Sequence, residues 1–171
     1  MSLPFWLRRF RRQPYLRWKL VKTYRAISAA SVETIWGKLS DVTDVSWHPL
    51  LVKTDVPFGL QAKPGLIYRA MNRWIPVPCR MFVEKVNPNQ FISIRILAFP
   101  GLEERVTYQL SSDVKGTFIS YSVMLRGWLT PLVWSFLRGP AEKVATRLAS
   151  AAETDGRQSW TSYWRSHPTD F

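Results

Sequence analysis

Residues 91–125 read Phe91-Ile-Ser-Ile-Arg-Ile-Leu-Ala-Phe-Pro100, Gly101-Leu-Glu-Glu-Arg-Val-Thr-Tyr-Gln-Leu110, Ser111-Ser-Asp-Val-Lys-Gly-Thr-Phe-Ile-Ser120 and Tyr121-Ser-Val-Met-Leu125. Three runs of two-residue alternation are separated by Pro100-Gly101 and by a turn from Asp113 to Gly116. Ile92, Ile94 and Ile96 share one face of the first run. Val106, Tyr108 and Leu110 share one face of the second, and Ile119, Tyr121, Val123 and Leu125 one face of the third. Successive side chains of a strand point to opposite sides, so the pattern predicts an antiparallel sheet with one apolar side that another element must cover.

A cover is predicted downstream. Pro131–Glu153 reads as an amphipathic helix with Leu132, Phe136, Val144, Leu148 and Ala151 on a common face. At 1.5 Å per residue it is about 30 Å long, enough to lie across a sheet. Pro140 removes a backbone donor and is expected to kink or restart this helix, with Gly139 as the weak point. Upstream, Leu16–Ile27 alternates like a strand, and Ser31 can cap a helix whose inner face is Val32, Ile35, Trp36 and Leu39. Ser40–Pro49 reads as a second short helix or an ordered loop. Leu50–Val56, Leu66–Arg73 and Met81–Val86 read as strands between Pro-, Gly- and Asn-rich turns.

The order is therefore strand, short helical pair, a meander of about six strands and one long helix. It resembles the START/Bet v1-like (SRPBCC) superfamily, in its polyketide cyclase/dehydrase and lipid transport branch. The resemblance covers residues 16–153. It rests on Ala29-Ala-Ser31-Val-Glu-Thr-Ile-Trp36, on Trp47-x-Pro49 and on Leu137-Arg-Gly-Pro140 with the helix after it; Asp41 matches the usual acidic position. It implies an α+β helix-grip fold, in which a curved antiparallel sheet of six or seven strands wraps a long C-terminal helix, with an apolar cavity between them. Members hold lipids, sterols, isoprenoid quinones, polyketides or plant hormones, and some catalyse cyclisation. The arm 1–15 and the polar, aromatic tail 154–171 lie outside the pattern.

Large inner side chains must line or fill such a space, and ligand sites are apolar with few polar groups. The residues expected at the cavity are Trp36, Trp47, Tyr108, Tyr121, Val123, Leu132, Phe136, Val144 and Leu148. The competing reading is that they simply fill the core. Catalytic candidates are weak: His48, with Asp44 as its local orienting partner, and Asp41. Glu103 and Glu104 are neighbours in a strand and point to opposite faces, so at most one looks inward. One arginine among Arg69, Arg73, Arg80, Arg95 and Arg105 turned inward would fix a carboxylate or carbonyl; their ordinary place is the solvated face. One Cys, two distant His and no carboxylate–His spacing give no metal site. No nucleophile elbow or phosphate-binding glycine loop is present, and no cofactor is expected.

The 171 residues carry a net charge of +12, are 46% hydrophobic and 14% aromatic, and contain one cysteine, Cys79. This composition excludes disorder over the whole length and a disulfide framework. The charge is uneven. Residues 1–25 hold eight basic side chains and no acid; the remainder has 16 basic and 12 acidic groups. Nucleic-acid binding wants a basic face on the folded body, so it ranks last. Phe5, Trp6 and Phe10 interleave with Arg8, Arg9, Arg11 and Arg12, a mixture suited to an anionic membrane surface or a membrane complex. A solvated tail, a strap over the domain and an organelle transit peptide are the other readings of this arm. No apolar run of secretory type follows it, and the longest charge-free apolar stretch, Gly127–Leu137, is eleven residues, short of the roughly 20 a span needs. A cytoplasmic, peripherally membrane-associated protein is expected. The leading function is a non-enzymatic binder or carrier of a bulky hydrophobic ligand. A cyclase- or dehydratase-like enzyme and an assembly subunit of a membrane complex are the alternatives.

Overall fold

A computed structural model describes residues 20–74 and 77–166. The order of elements is β1 (Leu20–Ser28), α1 (Val32–Ser40), β2 (Leu51–Thr54), β3 (Ile67–Asn72), β4 (Pro78–Asn87), β5 (Phe91–Phe99), β6 (Leu102–Asp113), β7 (Gly116–Gly127), α2 (Thr130–Glu142) and α3 (Val144–Ser166). The strands form one antiparallel sheet in the order β1-β7-β6-β5-β4-β3-β2. Neighbours in sequence are neighbours in space except that β1 pairs with β7. α1 and its following loop carry the chain from one edge strand to the other. The register shifts in the β2–β3, β4–β5 and β5–β6 pairs, and such irregularities bend a sheet. The sheet is a curled half-barrel that grips the C-terminal helices.

The alternation of the sequence sets the inner face. Ile92, Ile94, Val106, Tyr108, Leu110, Ile119, Tyr121, Val123 and Leu125 are all buried. α3 covers part of this face with Val144, Ala145, Leu148, Ala149 and Ala152, and its alanines let the helix approach β1, β7 and α1 closely. Polar ties fix the approach. Glu153 accepts from Ser28 Oγ and from the Ala29 N–H, each at 2.9 Å. Lys38 Nζ bridges Asp155 at 2.8 Å and Asp44 at 2.7 Å. Ser31 caps α1, accepting from the Thr34 N–H at 3.2 Å. At Gly127, φ is 131° and a Cβ would lie 2.0 Å from the Gly101 carbonyl oxygen, so only glycine fits where β7 leaves the sheet.

Three expectations are corrected. Ser40–Pro49 is the ordered loop and not a second helix: Asp41 bridges to Gln61, and the Asp41 and Asp44 side chains take the N–H groups two residues on, Thr43 and Ser46, which competes with helix. The helix breaks at Lys143 and not at Gly139-Pro140; the Lys143 N–H turns back to the Pro140 carbonyl at 3.0 Å, the three-residue step that tightens a helix end. Beyond Glu153 the helix continues to Ser166, through Gly156. A glycine inside a helix costs only about 1 kcal/mol and does not by itself end it.

Candidate ligand cavity

A cavity of about 90 Å³ lies between the 41–51 loop, the inner face of strands β3 to β7, and Val133 and Leu137 of α2. Its wall is largely apolar, with Tyr68, Tyr108 and Tyr121 from three different strands and Trp47 from the loop. The Tyr108 and Tyr121 rings are 4.9 Å apart, and Trp47 sits edge-on to His48 at 5.1 Å and to Tyr108 at 6.3 Å.

His48 is buried in this aromatic group. Its Nδ1 accepts the Leu50 N–H at 3.2 Å, and its Nε2 lies 3.2 Å from the Tyr108 hydroxyl. Burial pushes its pKa down to about 3, so the ring is neutral. A neutral imidazole accepting at Nδ1 carries its proton on Nε2. Nε2–H therefore donates to the Tyr108 oxygen, and the Tyr108 hydroxyl proton is left to point elsewhere. Burial raises the Tyr108 and Tyr121 pKa values well above 10, with smaller contributions from nearby charge including Glu104, and pushes Tyr68 up to about 12. The phenols are thus donors and not bases.

The carboxylates differ. Asp41 accepts from the Thr43 N–H at 2.9 Å and from the Thr43 hydroxyl. Asp44 accepts from Ser46 Oγ at 2.6 Å and pairs with Lys38; burial pushes its carboxyl up, but Lys38 and Ser46 outweigh this and hold it low. Asp44 is therefore not the orienting partner of His48, a role taken by the Leu50 N–H. Glu104 lies on the inner face between Leu102 and Val106, opposite Ile96 of β5 and Leu125 of β7. Burial raises its pKa to about 7, and no donor or cation meets it among the described residues. Glu103 points outward to Arg126 and, at 3.4 Å, to Arg95. Glu84 joins the same outer face through Arg95 and Arg105. No Lys or Arg lines the cavity among the described residues, so none of the strand arginines turns into it.

Of the residues expected at the cavity, Trp47, Tyr108 and Tyr121 line it, as do His48 and Asp41. Val123, Val144 and Leu148 are buried in the core beside it, and Trp36 is half-buried against that core. Leu132 and Phe136 do not line it: they are 59% and 68% exposed. Steps of four and eight residues drift by about 40° for every four along a 3.6-residue helix. The buried stripe of α2 is Thr130, Leu137 and Ala141, in steps of seven and four that stay in phase, and Val144 and Leu148 are buried on α3 beyond the break at Lys143. Phe5, Trp6, Arg8, Arg9, Phe10, Arg11 and Arg12 lie outside the described residues. Glu104, Tyr68 and Cys79 were not singled out for the wall. For Glu104 the signal was present, since it is in phase with Val106, Tyr108 and Leu110. Cys79 is a buried thiol raised by burial and, less, by Glu104.

A curled antiparallel sheet gripping a C-terminal helix over an aromatic cavity defines the Bet v1-like helix-grip fold. Among solved structures the chain is similar to Ara h 8.0201 (TM-score 0.62, 10% identity, covering 79% of this chain and 98% of that one). It is similar also to protein CV1439 from Chromobacterium violaceum (TM-score 0.59, 16% identity, 78% and 96%). A third is DynU16, a protein of the dynemicin biosynthetic locus (TM-score 0.61, 18% identity, 79% and 48%). No family model matches the sequence, and no curated protein matches it.

Proposed function

We propose that the chain is a non-enzymatic binder or carrier of a hydrophobic ligand held in the cavity between sheet and helix. The observation that carries this reading is the cavity itself: apolar and aromatic, with a few polar groups on its wall, as small-molecule sites are built. At about 90 Å³ it is below the roughly 300–1,000 Å³ of pockets that enclose drug-sized ligands. A bulky lipid, isoprenoid or polyketide therefore enters by displacing α2 or the 41–51 loop; a compact ring enters as it stands. Organic extraction and mass spectrometry of the purified protein, with uptake of the neutral apolar dye N-phenyl-1-naphthylamine, test it. A recurring apolar compound and saturable dye uptake are expected; an empty extract and no uptake would overturn the reading.

On this reading the protein docks peripherally on an anionic membrane. Support comes from one end of the sheet, where β3, β5 and β7 finish and β1 begins at Leu20. Trp74, Trp128, Leu132 and Phe136 are exposed there or on the adjoining turn of α2, and the basic, aromatic segment joins the domain at that end. The cyclase- or dehydratase-like alternative is favoured by one observation, the His48–Tyr108 pair in the wall. It predicts that the extracted compound is consumed on incubation with the protein and spared by Tyr108→Phe; an unchanged compound supports the carrier.

A further inference from the structure

The charge of the cavity opposes that of the chain. The chain carries +12, whereas the wall has three carboxylates and, among the described residues, no Lys or Arg. Two of the three are already answered: Asp41 by Thr43, Asp44 by Lys38 and Ser46. Glu104 is not. Its cross-strand neighbours, Ile96 and Leu125, are apolar, and Arg105 and Arg126, each next in the chain to Glu104 or Leu125, engage Glu84 and Glu103 on the opposite face. A half-buried carboxylate that faces a largely apolar cavity without a partner is costly to keep charged. Three tyrosines share the cavity with it, and aromatic faces attract cations.

We propose that Glu104 is the polar anchor of the cavity, and that the ligand it takes is a protonated amine on a compact apolar body, of about one ring in the undisplaced cavity. This rests on the reading that the cavity binds a ligand, and it names the chemistry of that ligand. The ammonium answers the unpartnered carboxylate and lies against the tyrosine rings, while the apolar body fills the rest. Fatty acids and phosphates are rejected, because they bring a second negative charge to a site with no cation.

The other titratable groups facing Glu104 leave it alone in the neutral range. Tyr68 of β3, Cys79 of β4, Tyr108 of β6 and Tyr121 of β7 are pushed up, and His48 of the loop is pushed down. Asp44 is held low by Lys38, Asp41 is bound within its own loop, and α2 presents only Val133 and Leu137.

The test is calorimetric titration of the full chain with benzylamine, toluene and benzoate, which share a ring and differ in charge. Benzylamine should bind at least about tenfold more tightly than toluene near pH 8.5, and benzoate should not bind. Between about pH 8.5 and 5.5 the benzylamine affinity should fall roughly thirtyfold as Glu104 protonates, with toluene unaffected. Glu104→Gln, which keeps the shape and removes the charge, should abolish the benzylamine preference and leave toluene binding intact. Toluene bound as tightly as benzylamine in the unmodified chain, or a preference that survives Glu104→Gln, would overturn this inference and leave the cavity reading standing. No binding by any of the three would also overturn this inference, and together with an empty extract and no dye uptake it would overturn the cavity reading as well.

Discussion

Two groups on the cavity wall titrate in opposite directions: buried His48, which donates to the Tyr108 hydroxyl, and half-buried Glu104, four residues before Tyr108 on the same strand face. Glu104 has a folded pKa of about 7 against an ordinary 4.5. The folded state then holds a proton the unfolded state has lost, so its ionisation subtracts stability as pH rises from 4.5 to 7, by a few kcal/mol at most. His48 has a folded pKa of about 3 against 6.5. The unfolded state binds the extra proton, so stability falls as pH drops from 6.5 towards 3. Glu104→Gln should therefore raise Tm above pH 7 and leave it unchanged near pH 4, while His48→Gln should flatten the acid limb. Thermal melts across pH check both; equal Tm shifts at every pH would contradict these assignments. Strand phase made the inward Glu104 readable in the sequence. Its lack of a partner was not, because that depends on which side chains the other strands, the loop and α2 bring to the cavity.

At the scale of elements, the strands followed from alternation, and their ends from Pro, Gly and Asn. The helical face did not follow so simply. Leu132 and Phe136 are as apolar as Leu137, and spacing alone chose between them only when steps of three and four were both counted. Leu137→Ala should cost about 2–4 kcal/mol, since it empties a buried site on the cavity wall. Leu132→Ser and Phe136→Ser should each change stability by about 0.5 kcal/mol or less. Urea unfolding measures the difference, and a large loss from Phe136→Ser would mean that its face is covered.

For the whole molecule, the proposed docking face combines the apolar end of the sheet with the basic segment joined to it. The full chain should cosediment with phosphatidylserine vesicles far better than with phosphatidylcholine vesicles. Residues near an anionic surface contribute about 1 kcal/mol per basic side chain, so deleting residues 1–15 should weaken binding by several orders of magnitude, and Trp128→Ser by less. Equal sedimentation on both lipids, or after the deletion, would sink the docking proposal.

The sequence by itself determined which residues face inward along each strand, because a strand's two-residue period is local and needs no partner. It determined the helix-grip order of elements for the same reason. Only the tertiary structure decided that β1 closes on β7 and that Ser40–Pro49 is a loop forming one wall of the cavity. It alone decided that Glu104 faces a space holding no cation among the described residues. Each of these depends on groups far apart in the chain, whose meeting is set by packing and not by any local pattern.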